Sequence, residues 1–152
     1  MTRKAFFLTL LLTVVAGASG AADDVSAKAD KPATAAKATN TQVLAYYFHG
    51  TIRCETCLKI ERQAREAMER RFPLEMAEKR LVFLPVNYDK TEDAHFLKDY
   101  NLPCPSLVLV RQKDGKDEKW KLLDKTWDQV ENPIKFNEYV EGGVEAMLHN
   151  PK

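Results

Sequence analysis

Apolar residues along the chain fall into two patterns. Residues 43–48 and 81–86 are continuous apolar runs of strand length, which is typical of strands covered on both faces, and residues 106–110, apolar after Ser106, predict a third strand. Between the first two runs, and again from Pro133 to Met147, apolar residues recur every three or four positions with charged residues between them. That spacing predicts two amphipathic helices, the first of which ends or kinks at Pro73.

Shorter signals complete the order of elements. Thr91 can cap a short helix whose first turn contains Glu92 and Asp93, acids that are favourable at a helix N-terminus. Asp114-Gly115 is a turn signal, after which residues 120–123 can return antiparallel to the third strand. The resulting order, β-α-β-α-β-β-α, predicts an α/β domain with a central mixed sheet of about four strands flanked by helices.

The beginning of the chain has the features of an export signal. Arg3 and Lys4 precede an apolar run of about eleven residues, shorter than the roughly twenty that span a bilayer. Small residues follow, so that cleavage after Gly20 or Ala22 fits equally well. We therefore interpret residues 1–22 as a signal peptide; an uncleaved membrane anchor is the alternative.

The remaining sequence divides into a linker and one domain. Residues 23–40 are mainly Ala, Lys, Asp and Thr, too poor in large apolar side chains to form a core, and we interpret them as a flexible tether. Residues 41–150 form the predicted domain. An exported protein of this kind is expected in the periplasm or another extracytoplasmic compartment.

Composition and charge exclude one class of partner. Of the 152 residues, 45% are hydrophobic and 30% charged, as in soluble globular proteins. The net charge is +1. Loss of the first twenty residues would take away two of the 23 basic residues and leave 21 basic residues against 22 acidic ones. A near-neutral chain has no broad attraction to nucleic acid, so no nucleic-acid partner is expected. The sequence does not determine the oligomeric state.

Three cysteines carry the candidate chemistry. Cys54 and Cys57 form a C-x-x-C motif between the first strand and the first helix, and Cys104 precedes the third strand. Unpaired amides in a first helical turn stabilise a thiolate, so Cys54 is the predicted nucleophile, and Cys57, one turn deeper, is the predicted resolving thiol. A zinc site and a structural disulfide use the same spacing. An odd cysteine count in an exported chain favours redox chemistry over a purely structural framework.

This order of strands, the C-x-x-C loop and Leu102-Pro103-Cys104-Pro105 resemble the thioredoxin superfamily over nearly all of residues 41–148. The resemblance implies a thioredoxin-like fold, a redox-active disulfide instead of a cofactor, and protein disulfides as substrates. It also implies that Pro105 is a cis-proline facing the C-x-x-C loop and that Cys104 is the residue whose backbone pairs with substrate. A simple turn with trans bonds is the alternative. Cys104 is either a third active thiol or a small buried residue.

The chain departs from that superfamily around its motif. The dipeptide is Glu55-Thr56; Glu55 is expected to raise the pKa of Cys54, and Arg53 to lower it. No carboxylate lies in the buried strand where thioredoxins keep an aspartate for proton transfer. Water, Glu55 or His49 are the alternatives for that role, although His49 is also interpretable as a polar strand-end residue.

Residues 46–57 further resemble small exported thioredoxin-like subunits of nitrophenyl-compound, or aromatic-arsenical, nitroreductase systems. That resemblance implies an electron carrier supplied by a membrane dithiol donor. Two other functions remain open. An oxidase or isomerase would use the same fold, and a binding protein would hold a soft metal such as Cu(I) or Zn(II) by sulfur and imidazole. The candidate ligands of that metal are Cys54, Cys57, Cys104 and His49.

Overall fold

The computed structural model describes residues 41–149, so the predicted signal peptide (1–22) and tether (23–40) lie outside the described residues. None of the helices within 41–149 has both the length and the apolar character needed to cross a membrane. The helices and strands, in chain order, are β1 (Thr41–His49), α1 (Glu55–Arg71), α2 (Pro73–Ala77), β2 (Leu81–Asn87), α3 (Phe96–Asp99), β3 (Ser106–Lys113), β4 (Lys116–Leu123), α4 (Thr126–Gln129) and α5 (Pro133–His149).

The four strands form one mixed sheet in the order β2-β1-β3-β4. β1 pairs in parallel with β2 and antiparallel with β3, and β4 is antiparallel to β3. This is the α/β, thioredoxin-like arrangement that the order of elements predicts. The central position of β1 matters for the site, because the loop that leaves β1 carries the C-x-x-C motif.

The alternation of side chains along β1 divides the core between the two faces of the sheet. Val43, Ala45 and Tyr47 are fully buried in the larger cluster, which also contains the apolar sides of α1 and α5. Leu44 and Phe48 belong to a second cluster on the other face. There the ring of Phe48 packs against the rings of Tyr46, Phe96 and Tyr100, with centroids 5.0 to 5.6 Å from its own.

Two local features of β2 and α3 depend on their surroundings. Pro85 is exposed in β2, which is an edge strand, and a residue without a backbone N–H is tolerated there. The helix predicted from Thr91 is wrong at its beginning, because residues 91–95 form turns and α3 has only four residues. The ring of Phe96 packs on Tyr46 and Phe48, so tertiary packing, not the acidic first turn, determines where the helix begins.

Adjacent glycines in α5 test how tightly this helix packs on the sheet. A Cβ at Gly142 would have no heavy atom within 4 Å, whereas at Gly143 it would lie 3.1 Å from Leu123 Cδ2 and 3.3 Å from Leu109 Cδ1. We expect Gly142→Ala to raise the free energy of unfolding by about 0.5–1 kcal/mol through helix propensity. Because both leucines are buried, Gly143→Ala should instead lower it by about 1 kcal/mol or more.

Urea unfolding followed by circular dichroism measures both variants, each serving as the other's control. Equal stabilisation by the two substitutions would contradict this account of the packing between α5 and the sheet.

Candidate active site

The loop between β1 and α1 is fastened to the segment that follows β2. The Thr51 amide donates to Asp89 Oδ2 at 2.7 Å, and Asn87 Nδ2 donates to Thr51 Oγ1 at 3.1 Å. Gly50 makes this approach possible, since a Cβ there would lie only 3.2 Å from Asp89 Oδ2. Ile52, the next residue, is 95% exposed. The loop therefore holds an apolar side chain in solvent two residues before Cys54.

Cys54 is the N-cap of α1. Its backbone is extended, with φ −76° and ψ 164°, and its Sγ accepts a hydrogen bond from the Cys57 amide at 3.2 Å. The sulfur thus takes the place of the hydroxyl or carboxylate oxygen that usually caps a helix. Cys54 is exposed, whereas Cys57 is 5% exposed, and neither forms a disulfide in this structure.

The two thiols differ in acidity because of these surroundings. Hydrogen bonds from the Cys57 thiol, and then from the Cys57 amide, lower the pKa of Cys54 below its ordinary value. Burial, and then the same hydrogen bond to Cys54, raise the pKa of Cys57. Cys54 therefore ionises first and is stabilised by its partner's proton, an arrangement that suits one nucleophilic and one resolving sulfur.

The neighbours of the motif act differently from the expectation. Arg53 forms an ion pair with Glu61 on α1, and its guanidinium carbon lies 5.7 Å from the centre of the Tyr47 ring. The charge of Arg53 lowers the pKa of Cys57. At Cys54, the main causes of the lowered pKa are hydrogen bonds and not the predicted opposing charges of Arg53 and Glu55. Glu55 is exposed as the first residue of α1.

Backbone groups contribute more than the side chains of the dipeptide. The amide of Thr56 also lowers the pKa of Cys54, although by less than the donors on Cys57. Thr56 therefore acts on the sulfur through its peptide N–H, as any residue other than proline would at this position.

Tyr47 lies beneath Cys57. Its fully buried side chain donates a hydrogen bond from the hydroxyl to the Cys57 carbonyl oxygen at 2.8 Å, which joins the C-terminal part of β1 to the first turn of α1. Burial raises the pKa of Tyr47, with the charge of a Cys57 thiolate as the next cause. The phenol is therefore a hydrogen-bond donor at neutral pH and not a base.

The prediction of a cis bond before Pro105 is wrong, since residues 41–149 contain no cis peptide bond. The trans form is the ordinary state of X–Pro bonds. It leaves both neighbouring carbonyls paired: Ser106 Oγ donates to the Cys104 oxygen at 2.7 Å, and Trp127 Nε1 donates to the Pro105 oxygen at 2.8 Å. The segment is thus held from β3 and α4, and backbone pairing of Cys104 with substrate stays a prediction.

The predicted metal ligands do not converge. Within residues 41–149, no group of three or more His, Cys, Asp or Glu side chains is arranged to hold a metal ion. His49 Nδ1 lies 2.9 Å from the Gly50 carbonyl oxygen, and its ring stacks on that of Tyr47 at 6.3 Å. Its position at the end of β1 is that of a half-buried strand-end residue.

Three residues at the site were not singled out by the sequence. Tyr88 follows β2, and its pKa is raised by burial and then by the charges of Asp89, Cys104 and Cys57. Glu61 and Trp127 hold Arg53 and Pro105. None of them belongs to a motif. Only Glu61, at the helical spacing of Cys57 and on the same strip of α1, had a signal in the sequence.

Comparisons with known proteins identify no relative in sequence: no family model and no curated protein matches the chain. Among solved structures, it is similar to oxidized thioredoxin O2 from Arabidopsis thaliana, with 17% identity and a TM-score of 0.36, covering 53% of this chain and 63% of that one, less than two thirds of its length. Fasciola hepatica thioredoxin is 20% identical with a TM-score of 0.38, and the match covers 66% of this chain and 80% of that one. A thioredoxin from Thermus thermophilus is 17% identical with a TM-score of 0.34, and the match covers 73% of this chain and 85% of that one.

The hydrogen bonds around Cys54 predict how its acidity responds to substitution at Cys57. Replacing Cys57 by alanine removes the thiol donor but keeps the amide, so the pKa of Cys54 should rise. Serine keeps a donor at this position, and the pKa in Cys57→Ser should lie below that in Cys57→Ala.

The pH dependence of iodoacetamide alkylation, followed by peptide mass spectrometry, measures Cys54 separately from Cys104. Identical titration of Cys54 in the two variants would show that the side chain at position 57 does not contribute.

Proposed function

We propose that this protein is an exported thiol–disulfide oxidoreductase that reduces disulfides in other proteins. The observation that carries the proposal is the geometry of the C-x-x-C pair. An exposed sulfur caps α1 and accepts hydrogen bonds from its partner, while that partner is buried one turn further on. The pair lies in the loop that follows β1, an inner strand of the mixed sheet, and this position supports the proposal.

The reaction takes two steps. The Cys54 thiolate attacks one sulfur of a partner disulfide, forming a mixed disulfide and releasing the partner's other sulfur as a thiolate that takes a proton from solvent. Cys57 then loses its proton and attacks Cys54 Sγ. The Cys54–Cys57 disulfide forms, and the second partner sulfur leaves and is protonated. The partner gains two electrons and two protons, and the protein becomes oxidised.

The surroundings of Cys54 suit a protein as substrate. Ile52 is 95% exposed and Leu58 is 47% exposed, one on each side of the motif in sequence. Such side chains provide apolar contact to a polypeptide approaching Cys54. The loop anchored by Thr51 holds Ile52 in place before the partner arrives, which reduces the entropy lost on binding.

Regeneration requires an external dithiol. We propose that a membrane dithiol donor reduces the Cys54–Cys57 disulfide, itself becoming a disulfide, after export under the direction of residues 1–22. The resemblance of residues 46–57 motivates a narrower proposal, in which the electrons pass on to a nitroreductase-type system.

Substitution of each cysteine tests the assignment of roles. Cys54→Ser should lower the reduction of a model protein disulfide by at least about a hundredfold, because it removes the nucleophile. Cys57→Ser should still attack but not resolve, so a mixed disulfide through Cys54 should accumulate. Non-reducing electrophoresis and mass spectrometry detect that species.

The same substitution at Cys104 is the matched control, with a smaller expected loss than at Cys54. Wild-type activity in Cys54→Ser would contradict the mechanism.

The redox potential of the Cys54/Cys57 couple separates a reductase from an oxidase. A value near the about −270 mV of thioredoxin supports a reductase, and one near about −120 mV indicates an oxidase.

Export is tested by expressing the full chain in a bacterium and determining the N-terminus and location of the product. We expect mature protein beginning at Ala21 or Asp23 in the periplasmic fraction, since small residues precede both positions. Replacing Arg3 and Lys4 with glutamate should impair export. Replacement of Lys28 and Lys31 with glutamate, which changes the charge by the same amount further along the chain, is the control. Full-length protein in the cytoplasm would overturn this part of the proposal.

A further inference from the structure

We propose that Arg53 is a positioning residue of the second step, whose guanidinium, held between Tyr47 and Glu61, stabilises the Cys57 thiolate as it attacks the mixed disulfide. The inference rests on the proposed function. Although Arg53 is next to Cys54 in sequence, its charge is assigned to Cys57 and not to Cys54.

The second step has an electrostatic difficulty. Cys57 must lose its proton in a site where it is 5% exposed, and burial disfavours the charged form of a thiol. β1 offers no carboxylate to accept that proton, because residues 46–48 are two tyrosines and a phenylalanine. A cation held close to the sulfur can stabilise the thiolate together with the backbone hydrogen bond from Cys54.

Arg53 is held at this place by two contacts. Its guanidinium pairs with Glu61 and lies over the ring of Tyr47, while the Tyr47 hydroxyl is bonded to the Cys57 carbonyl at 2.8 Å. The side chains of Arg53 and Glu61 are only 21% and 16% exposed. Arg65 also pairs with the Glu61 carboxylate, at 3.2 Å. Two cations therefore share one negative charge, and Glu61 does not fully neutralise Arg53.

One donor of Arg53 has no acceptor. Nε is buried and makes no hydrogen bond within the part of the chain that the structure describes. A buried N–H without a partner is unfavourable and uncommon, and it calls for a physical reason. A thiolate forming at Cys57 during resolution would supply a negative charge for this donor and its guanidinium.

The charges that face Cys57 agree with this assignment. Burial, and then the side-chain hydrogen bond and the charge of Cys54, raise the pKa of Cys57, whereas the Cys54 backbone and then the charge of Arg53 lower it. The titratable groups that interact with Cys57, or with Tyr47 and Tyr88 beside it, are Cys54, Tyr47, His49, Arg53, Glu61, Tyr88, Asp89 and Cys104, from β1, α1 and the segments after β2 and before β3. Arg53 is the member of this set that is always positively charged, and its charge acts on Cys57.

The step balances without any further reactant. Cys57 releases one proton to solvent, its thiolate forms a bond to Cys54 Sγ, and the Cys54–partner bond breaks. The partner thiolate takes up one proton. Arg53 gives up neither a proton nor an electron, and its effect is to raise the fraction of Cys57 that is ionised.

The first test does not depend on reductase activity. In Cys54→Ser/Cys104→Ser protein, Cys57 is the one remaining cysteine, and the pH dependence of its 13Cβ chemical shift reports its ionisation. Adding Arg53→Met should move the transition to higher pH, and Arg53→Lys should restore part of the shift. Arg62→Met removes an exposed cation from the same helix and is the matched control. An unchanged transition in Arg53→Met would overturn the proposal even if the protein proves to be an active reductase.

The second test separates the two steps. In Cys104→Ser protein, reaction with Ellman's reagent releases one thionitrobenzoate as Cys54 attacks and a second as Cys57 resolves. Arg53→Met should slow the second release by about threefold or more near neutral pH and leave the first nearly unchanged. Slowing of the first release alone would assign Arg53 to Cys54 and sink the inference. Circular dichroism establishes that each variant is folded, and Arg53→Gln, which also removes the charge, carries the same test if Arg53→Met does not fold.

Discussion

The site depends on the hydrogen bonds that the first turn of α1 makes to Cys54 Sγ. A sulfur at the N-cap position is close to amides that have no partner inside the helix, so the same contact that begins α1 also acidifies the thiol. Everything that fixes the direction of α1 therefore fixes the chemistry. The bonds from Thr51 to Asp89 and from Tyr47 to Cys57 are of this kind, because they tie the loop and the helix to the sheet.

An aromatic strand changes how protons are handled at this site. Side-chain alternation in β1 directs Tyr47 toward α1, where a phenol meets the backbone of Cys57. A phenol whose pKa is raised by burial stays protonated at neutral pH, so it can orient the helix but cannot accept the proton of Cys57. Stabilising the thiolate and accepting the proton are thus separate tasks here. A buried carboxylate would combine proton acceptance with an unfavourable charge near the thiolate.

The sequence predicts the architecture well because the architecture depends on pattern. Apolar runs located three of the four strands and the turn at Asp114-Gly115 located the fourth, and helical spacing located α1 and α5. The predicted beginning of α3 was wrong because its acidic first turn, a local signal, competed with the stacking of Phe96. The predicted cis bond before Pro105 came from the family resemblance and not from a pattern in the residues, and the structure has the trans form. Spacing along the chain gave the pair Cys54 and Cys57, whereas the orientation of Arg53 depends on Glu61, eight residues away, and no local pattern specifies it.

The kinds of donor around Cys54 bear on the direction of electron flow. Stabilising the thiolate stabilises the reduced protein, and strongly oxidising members of such folds owe their potential to a strongly stabilised reduced form. The main donors at Cys54 are a thiol and backbone amides, which are neutral, whereas the nearby cation of Arg53 acts on Cys57 and is paired with Glu61. Burial disfavours a second thiolate at Cys57. With one thiolate held by neutral dipoles, the reduced form gains less than it would from a cation at Cys54, which is consistent with the reductase proposed above.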